Sequence, residues 1–128
     1  MNNVKIFVSV IVIVIVGVVV TAFMRSNITP PGPGKLDTFA QCLKDKGAVF
    51  YGAFWCSHCQ AQKKLFGSSA KLLPYVECST PDGRGQLPEC KEKKVEGYPT
   101  WRFADGTELN GEVPLVDLAK KTSCVLPE

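Results

Sequence analysis

Tyr51-Gly52-Ala53-Phe54-Trp55-Cys56-Ser57-His58-Cys59-Gln60-Ala61-Gln62-Lys63-Lys64-Leu65-Phe66-Gly67 is the stretch on which the reading of the whole chain turns. Its start completes a short apolar run, Ala48 to Phe54, patterned like a strand buried on both faces. Ser57 to Phe66 are good helix formers, and Gly67 stops them. Two cysteines spaced Cys-X-X-Cys therefore fall at a strand-to-helix junction. Cys56 is placed at or beside the helix N-cap, where unpaired backbone N–H groups and the positive end of the helix dipole favour its thiolate. A thiolate is both nucleophile and leaving group, so its stability sets rate and redox poise together. Cys59, one turn later, is expected to be less exposed and to act as the resolving thiol. His58 can donate a hydrogen bond or a positive charge to the Cys56 sulfur; an idle surface imidazole is the plain alternative. Lys63 and Lys64 add positive potential, or are ordinary solvated lysines. Zinc sites share the Cys-X-X-Cys spacing. Here Cys56, His58 and Cys59 would be the ligands, all within one helical turn and badly disposed for tetrahedral closure. No metal and no cofactor are expected.

Working outward, Asp37 or Thr38 can cap a helix running to about Lys46, with Gly47 as its stop. After Gly67 a short helical turn is expected over Ala70–Leu73, then a strand over Tyr75–Cys78. Ser79 to Gln86 reads as a polar loop and Leu87 to Lys94 as a helix with Pro88 in its first turn. Val95 to Pro99 connects to a strand over Thr100–Phe103. Asp105-Gly106 is a hairpin signal with Glu108 to Glu112 pairing back, and Leu115 to Lys121 forms a last helix. The order α-β-α-β-α-β-β-α implies an α/β fold with one sheet covered by helices on both faces.

The chain has 128 residues, a net charge of +3 and six cysteines. Mixed acids and bases argue against a nucleic-acid partner, whose binding face would concentrate the basic residues. Lys91, Lys93 and Lys94 read as a solvated face. Six cysteines are hard to reconcile with a reducing compartment unless they bind metal or do redox work. Ile6 to Met24 is almost wholly aliphatic, and at ~1.5 Å per residue such a run spans the ~30 Å of a bilayer's hydrocarbon. Lys5 and Val20-Thr21-Ala22 also suit a signal peptide, but the apolar run continues past that point and an uncleaved single-pass anchor is favoured. The expected organisation is a transmembrane anchor over 1–25, a Pro/Gly-rich linker over 26–35 and a folded domain over 36–128. The cysteine content places that domain on the extracytoplasmic side, periplasmic or extracellular.

Gly97-Tyr98-Pro99-Thr100, just before the late hairpin, makes the resemblance specific. Trp-Cys-X-X-Cys at a helix start followed by this motif resembles the thioredoxin superfamily, and so implies its central mixed sheet with helices on both faces. The resemblance implies that Pro99 is a cis proline packed on the redox pair, and that Trp55, Tyr98 and Pro99 face the substrate. The alternative is a trans proline opening a strand. Residues 51–67, Tyr75-Val76-Glu77-Cys78-Ser79, Cys90 and Gly97-Tyr98-Pro99-Thr100-Trp101 are similar to the thioredoxin-like domain associated with bacterial homologues of vitamin K epoxide reductase (VKOR). That likeness covers about residues 36–124. It implies a DsbA-like thiol oxidase of exported proteins, re-oxidised by a separate quinone-linked VKOR-type partner, another membrane thiol oxidase or another redox donor, since this chain carries a single anchor. One departure stands out: the acid that many such proteins bury six residues before the first redox cysteine is replaced by Phe50.

Cys78 and Cys90 flank the polar loop, and a bridge closing about a dozen residues would stabilise by roughly 3 kcal/mol. Cys42 and Cys124 would then pair or stay free; either pair could instead relay electrons to Cys56–Cys59. The leading expectation is oxidation of dithiols in exported proteins. A reductase or isomerase of the same fold and a Cys/His metal-binding module are the alternatives.

Overall fold

The computed structural model describes residues 1–26 and 33–128. The chain divides into two compact units, Met1–Gly32 and Pro33–Glu128. In the first, α1 runs Asn2–Ser26. Its 21-residue stretch Asn2–Ala22 is long and apolar enough to cross a membrane, and none of it is buried against protein. The Thr21 hydroxyl donates to the carbonyls of Gly17 (3.0 Å) and Val18 (2.9 Å), which satisfies this polar group within its own helix. The expected tether over 26–35 lies mostly on residues 27–32, outside the described residues.

The second unit contains α2 (Asp37–Asp45), β1 (Val49–Gly52), α3 (Ser57–Leu65), a 3-10 turn (Gly67–Leu72), β2 (Tyr75–Glu77), α4 (Pro88–Glu92), β3 (Thr100–Arg102), β4 (Glu108–Asn110) and α5 (Leu115–Thr122). The sheet order is β2-β1-β3-β4. β1 pairs parallel with β2 and antiparallel with β3, and β3 pairs antiparallel with β4. Strand alternation sends successive β1 side chains to opposite faces. Phe50 meets Trp101 in register and stacks on it, centroids 4.8 Å apart. Around that pair gather Phe39 and Leu43 of α2, Cys59 of α3, Phe66 at the end of α3, and Leu118 of α5. Tyr51 points the other way, into a smaller cluster with Cys78, Cys90 of α4 and Val95. Helices thus cover both faces, and the fold is thioredoxin-like.

Several element ends differ from the sequence expectation, each for a local reason. Asp37 does not cap α2: Leu36 is the N-cap and makes no side-chain cap bond, while Asp37 Oδ2 accepts the Gly34 N–H at 2.9 Å and ties in the entering chain. β1 ends at Gly52, not Phe54, because the Cys56 N–H bonds the Ala53 carbonyl (3.0 Å) in the turn that swings the chain into α3. α4 stops at Glu92 because Lys94 takes a left-handed backbone (φ 54°), which carries Val95 back into the core.

Two disulfides close the unit. Cys42 in α2 joins Cys124 beyond α5, and Cys78 after β2 joins Cys90 in α4. Cys78 and Cys90 are fully buried.

Candidate active site

β1 and α3 deliver the two thiols that carry no disulfide, Cys56 and Cys59. Cys56 is the N-cap residue of α3, with extended backbone (φ −75°, ψ 116°). Its sulfur accepts the Cys59 N–H at 3.3 Å, so it takes the place that a Ser or Asp oxygen fills at an ordinary helix start. The Cys56 thiol faces the Tyr98 carbonyl at 3.7 Å. The Tyr98–Pro99 bond is cis and Pro99 is fully buried, so of the Gly-Tyr-Pro-Thr motif it is Tyr98 that borders the Cys56 sulfur. Both cysteines are buried, Cys56 less completely (7% exposed) than Cys59 (1%). Burial, then the hydrogen bond to Cys56, push the Cys59 thiol up to about 12. The pair is therefore asymmetric: one sulfur lies at a helix N-terminus nearer the surface, the other sits protonated underneath.

The aromatic rim is held by polar tips. Trp55 Nε1 donates to Ser79 Oγ at 2.8 Å, and the Trp55 ring meets Tyr98 edge-on with centroids 6.1 Å apart. The Tyr98 hydroxyl accepts from Gln86 Nε2 at 2.8 Å, while the same amide donates to the Val95 carbonyl. Phe54 and Trp55 remain about half exposed, at 49% and 52%. His58 turns outward: its Nδ1 lies 2.7 Å from Glu112 Oε1 on the surface. Lys63 turns back, placing Nζ 3.3 Å from the centroid of the Tyr75 ring. No group of three or more His, Cys, Asp or Glu side chains is gathered for a metal among the described residues.

Four residues of this neighbourhood escape a reading of sequence spacing. Glu112 reaches His58 across 54 positions of chain. Gln62, fully buried, makes two bonds to the Val113 backbone, donating to its carbonyl (3.0 Å) and accepting its N–H (2.6 Å). Gly52 lies directly under the site: a Cβ there would sit 2.8 Å from Tyr75 Cε2 and 3.1 Å from Cys59 Sγ. Glu77, after Tyr75 on β2, accepts the N–H groups of Phe54 (3.2 Å) and Ser79 (2.9 Å). A glycine just ahead of the redox motif was the one available signal.

Comparison with known proteins places this geometry in context. The chain is similar to the thiol-disulfide oxidoreductase LTO1 of Arabidopsis thaliana, with 40% identity over 111 residues. The match covers 83% of this chain but 29% of that protein, so the chain spans about three tenths of the length of that curated relative. No family model matches the chain.

Proposed function

We propose that the chain is a membrane-anchored, extracytoplasmic thiol–disulfide oxidoreductase that oxidises dithiols of exported proteins through Cys56 and Cys59. One observation carries this reading: the Cys56 sulfur caps α3, receives the Cys59 N–H and borders the Tyr98 carbonyl. Positive helix-end potential and a donor on the sulfur stabilise it as a leaving and attacking group. In the forward direction a client thiolate attacks Cys56 of the Cys56–Cys59 disulfide and Cys59 leaves, taking up a proton. The client's second thiolate then attacks its own sulfur in the mixed disulfide, and Cys56 leaves. The client gains one disulfide and the pair two electrons. Trp55 and Tyr98 border the client, with His58 beside them, while Pro99 acts from beneath. α1 is the anchor, and a quinone-linked VKOR-type membrane oxidase is the proposed acceptor of the electrons.

The full chain in detergent, incubated with a reduced secreted protein, tests this. Cys56→Ser is expected to abolish turnover and Cys59→Ser to accumulate client-linked mixed disulfides; wild-type turnover in Cys56→Ser sinks the proposal. A reduction potential of about −120 to −180 mV is expected, whereas a value near −270 mV would make the chain a reductase.

A further inference from the structure

Resting on that reading, Cys59 must lose a proton when it attacks a mixed disulfide and regain one when it leaves. Cys59 as a residue is only 1% exposed, so bulk water is poorly placed to serve it. The titratable groups that act on it are Cys56 at the head of α3 and Lys63 within it; across the site, Tyr75 of β2 feels the charge of both cysteines and of Glu77, to which it is hydrogen-bonded. Cys56 is itself the reacting partner and Lys63 is a cation, so neither is a base for this proton. Position 50, on the neighbouring strand, is a phenylalanine stacked on Trp101.

Tyr75 and Glu77 are differently placed. Because residue 52 has no side chain, Cys59 Sγ and the Tyr75 hydroxyl flank one small space, 3.1 Å and 3.4 Å from where a Cβ would be. The Tyr75 hydroxyl donates to Glu77 Oε2 at 2.7 Å. The other carboxylate oxygen is fixed by the Phe54 and Ser79 N–H groups, so Glu77 cannot swing away without breaking both bonds. Lys63, over the Tyr75 ring, favours negative charge passing through the phenol oxygen.

We infer that Tyr75 and Glu77 form a proton relay for Cys59, in which the phenol hydroxyl takes the thiol proton, directly or across one water, as it hands its own to the Glu77 carboxylate. The step balances: Cys59 thiol and Glu77 carboxylate become Cys59 thiolate and Glu77 carboxylic acid, with Tyr75 unchanged. The thiolate then attacks Cys56 Sγ, the Cys56–Cys59 bond forms, and the bound thiol departs with the electron pair of the broken bond. Run backward, the relay protonates Cys59 as a client displaces it. Glu77 acts through Tyr75 and is a positioning residue.

Reduced full-length protein mixed with excess 5,5′-dithiobis(2-nitrobenzoate) separates the steps. The Cys56 thiolate releases one nitrothiobenzoate in a phase that depends on reagent concentration. Attack by Cys59 releases a second in a phase that does not. Glu77→Gln keeps an oxygen for the two amides, and Tyr75→Phe keeps the ring under Lys63. Both variants are expected to leave the first phase unchanged. Each should slow the second by roughly 10²-fold near pH 6–7, the low end of what a positioned base contributes. The deficit should close as pH rises and hydroxide takes the proton directly. A second phase at wild-type rate in both variants, or one slowed by the same factor at every pH, overturns the relay. A wild-type chain with no second phase instead overturns the Cys56–Cys59 pairing on which the relay rests.

Discussion

Replacing Gly52 by alanine adds a single methyl under the redox pair, and its consequences can be worked from contacts. The new carbon would stand 2.8 Å from Tyr75 Cε2 and 3.1 Å from Cys59 Sγ, both tighter than ordinary contact. The backbone cannot withdraw, because Gly52 pairs with Glu77 on β2 and its carbonyl accepts the Cys78 N–H at 2.8 Å. The Tyr75 ring is confined edge-on by Phe50 (5.2 Å between centroids) and tethered through its hydroxyl to Glu77. The Cys59 sulfur must therefore give way. Overpacking of this kind costs about 1–3 kcal/mol, at about 4–8 °C per kcal/mol for a domain this size. In the disulfide form the Cys59 sulfur is drawn toward Cys56 and the clash is partly relieved, so the dithiol form loses more. Each kcal/mol of that difference makes the potential about 20 mV more negative. Thermal melts of both redox forms, followed by near-ultraviolet circular dichroism, and a glutathione redox titration read the two effects. A dithiol form of Gly52→Ala that melts with the wild type, at an unchanged potential, would refute the packing account of residue 52.

Other expectations follow from the same structure. The folded dithiol form holds the Cys59 proton up to about 12, while an ordinary thiol releases it near 9.0. Its stability should therefore be full below pH 9, the ordinary value, and decline as pH rises toward 12. The disulfide form lacks that thiol and should show no such extra decline; parallel melts from pH 8 to 11 would expose the error if both forms fall together. Cys42→Ala with Cys124→Ala opens a closure of 82 residues. It should lower stability by about 2–5 kcal/mol while sparing the first nitrothiobenzoate release, because the bridge supplies none of the hydrogen-bond partners of the Cys56 sulfur, which are the Tyr98 carbonyl and the Cys59 N–H. Melting with the wild type would show the bridge to be energetically idle.

Much of the fold was legible because it is written in local chemistry. The strand-to-helix junction at Cys56, the Asp105-Gly106 turn (Gly106 φ 80°) and the apolar first helix each depend on residues adjacent in sequence. What stayed hidden depends on the sheet bringing distant residues together. Glu112 meets His58, and Gln62 meets Val113, only once β4 and α5 fold back beside α3. Tyr75 and Glu77 carry no sequence signal beyond membership of a short strand; it is the parallel pairing of β1 with β2 that sets both beside Gly52. The misplaced cap on α2 has the same origin: Asp37 has the right chemistry for an N-cap, but the turn at Gly34 claims its carboxylate first.

The Cys42–Cys124 link makes a covalent ring of nearly the whole folded unit, and Cys56 and Cys59 lie within it. A protease that severs one peptide bond anywhere between positions 42 and 124 does not release a fragment. The two pieces remain a single molecule until that bond is reduced, and for a cut between positions 78 and 90 until the Cys78–Cys90 bond is reduced as well, so the reactive cysteines stay fastened to the segment that bears the apolar helix. On a gel, such nicking would be invisible without reductant and plain with it.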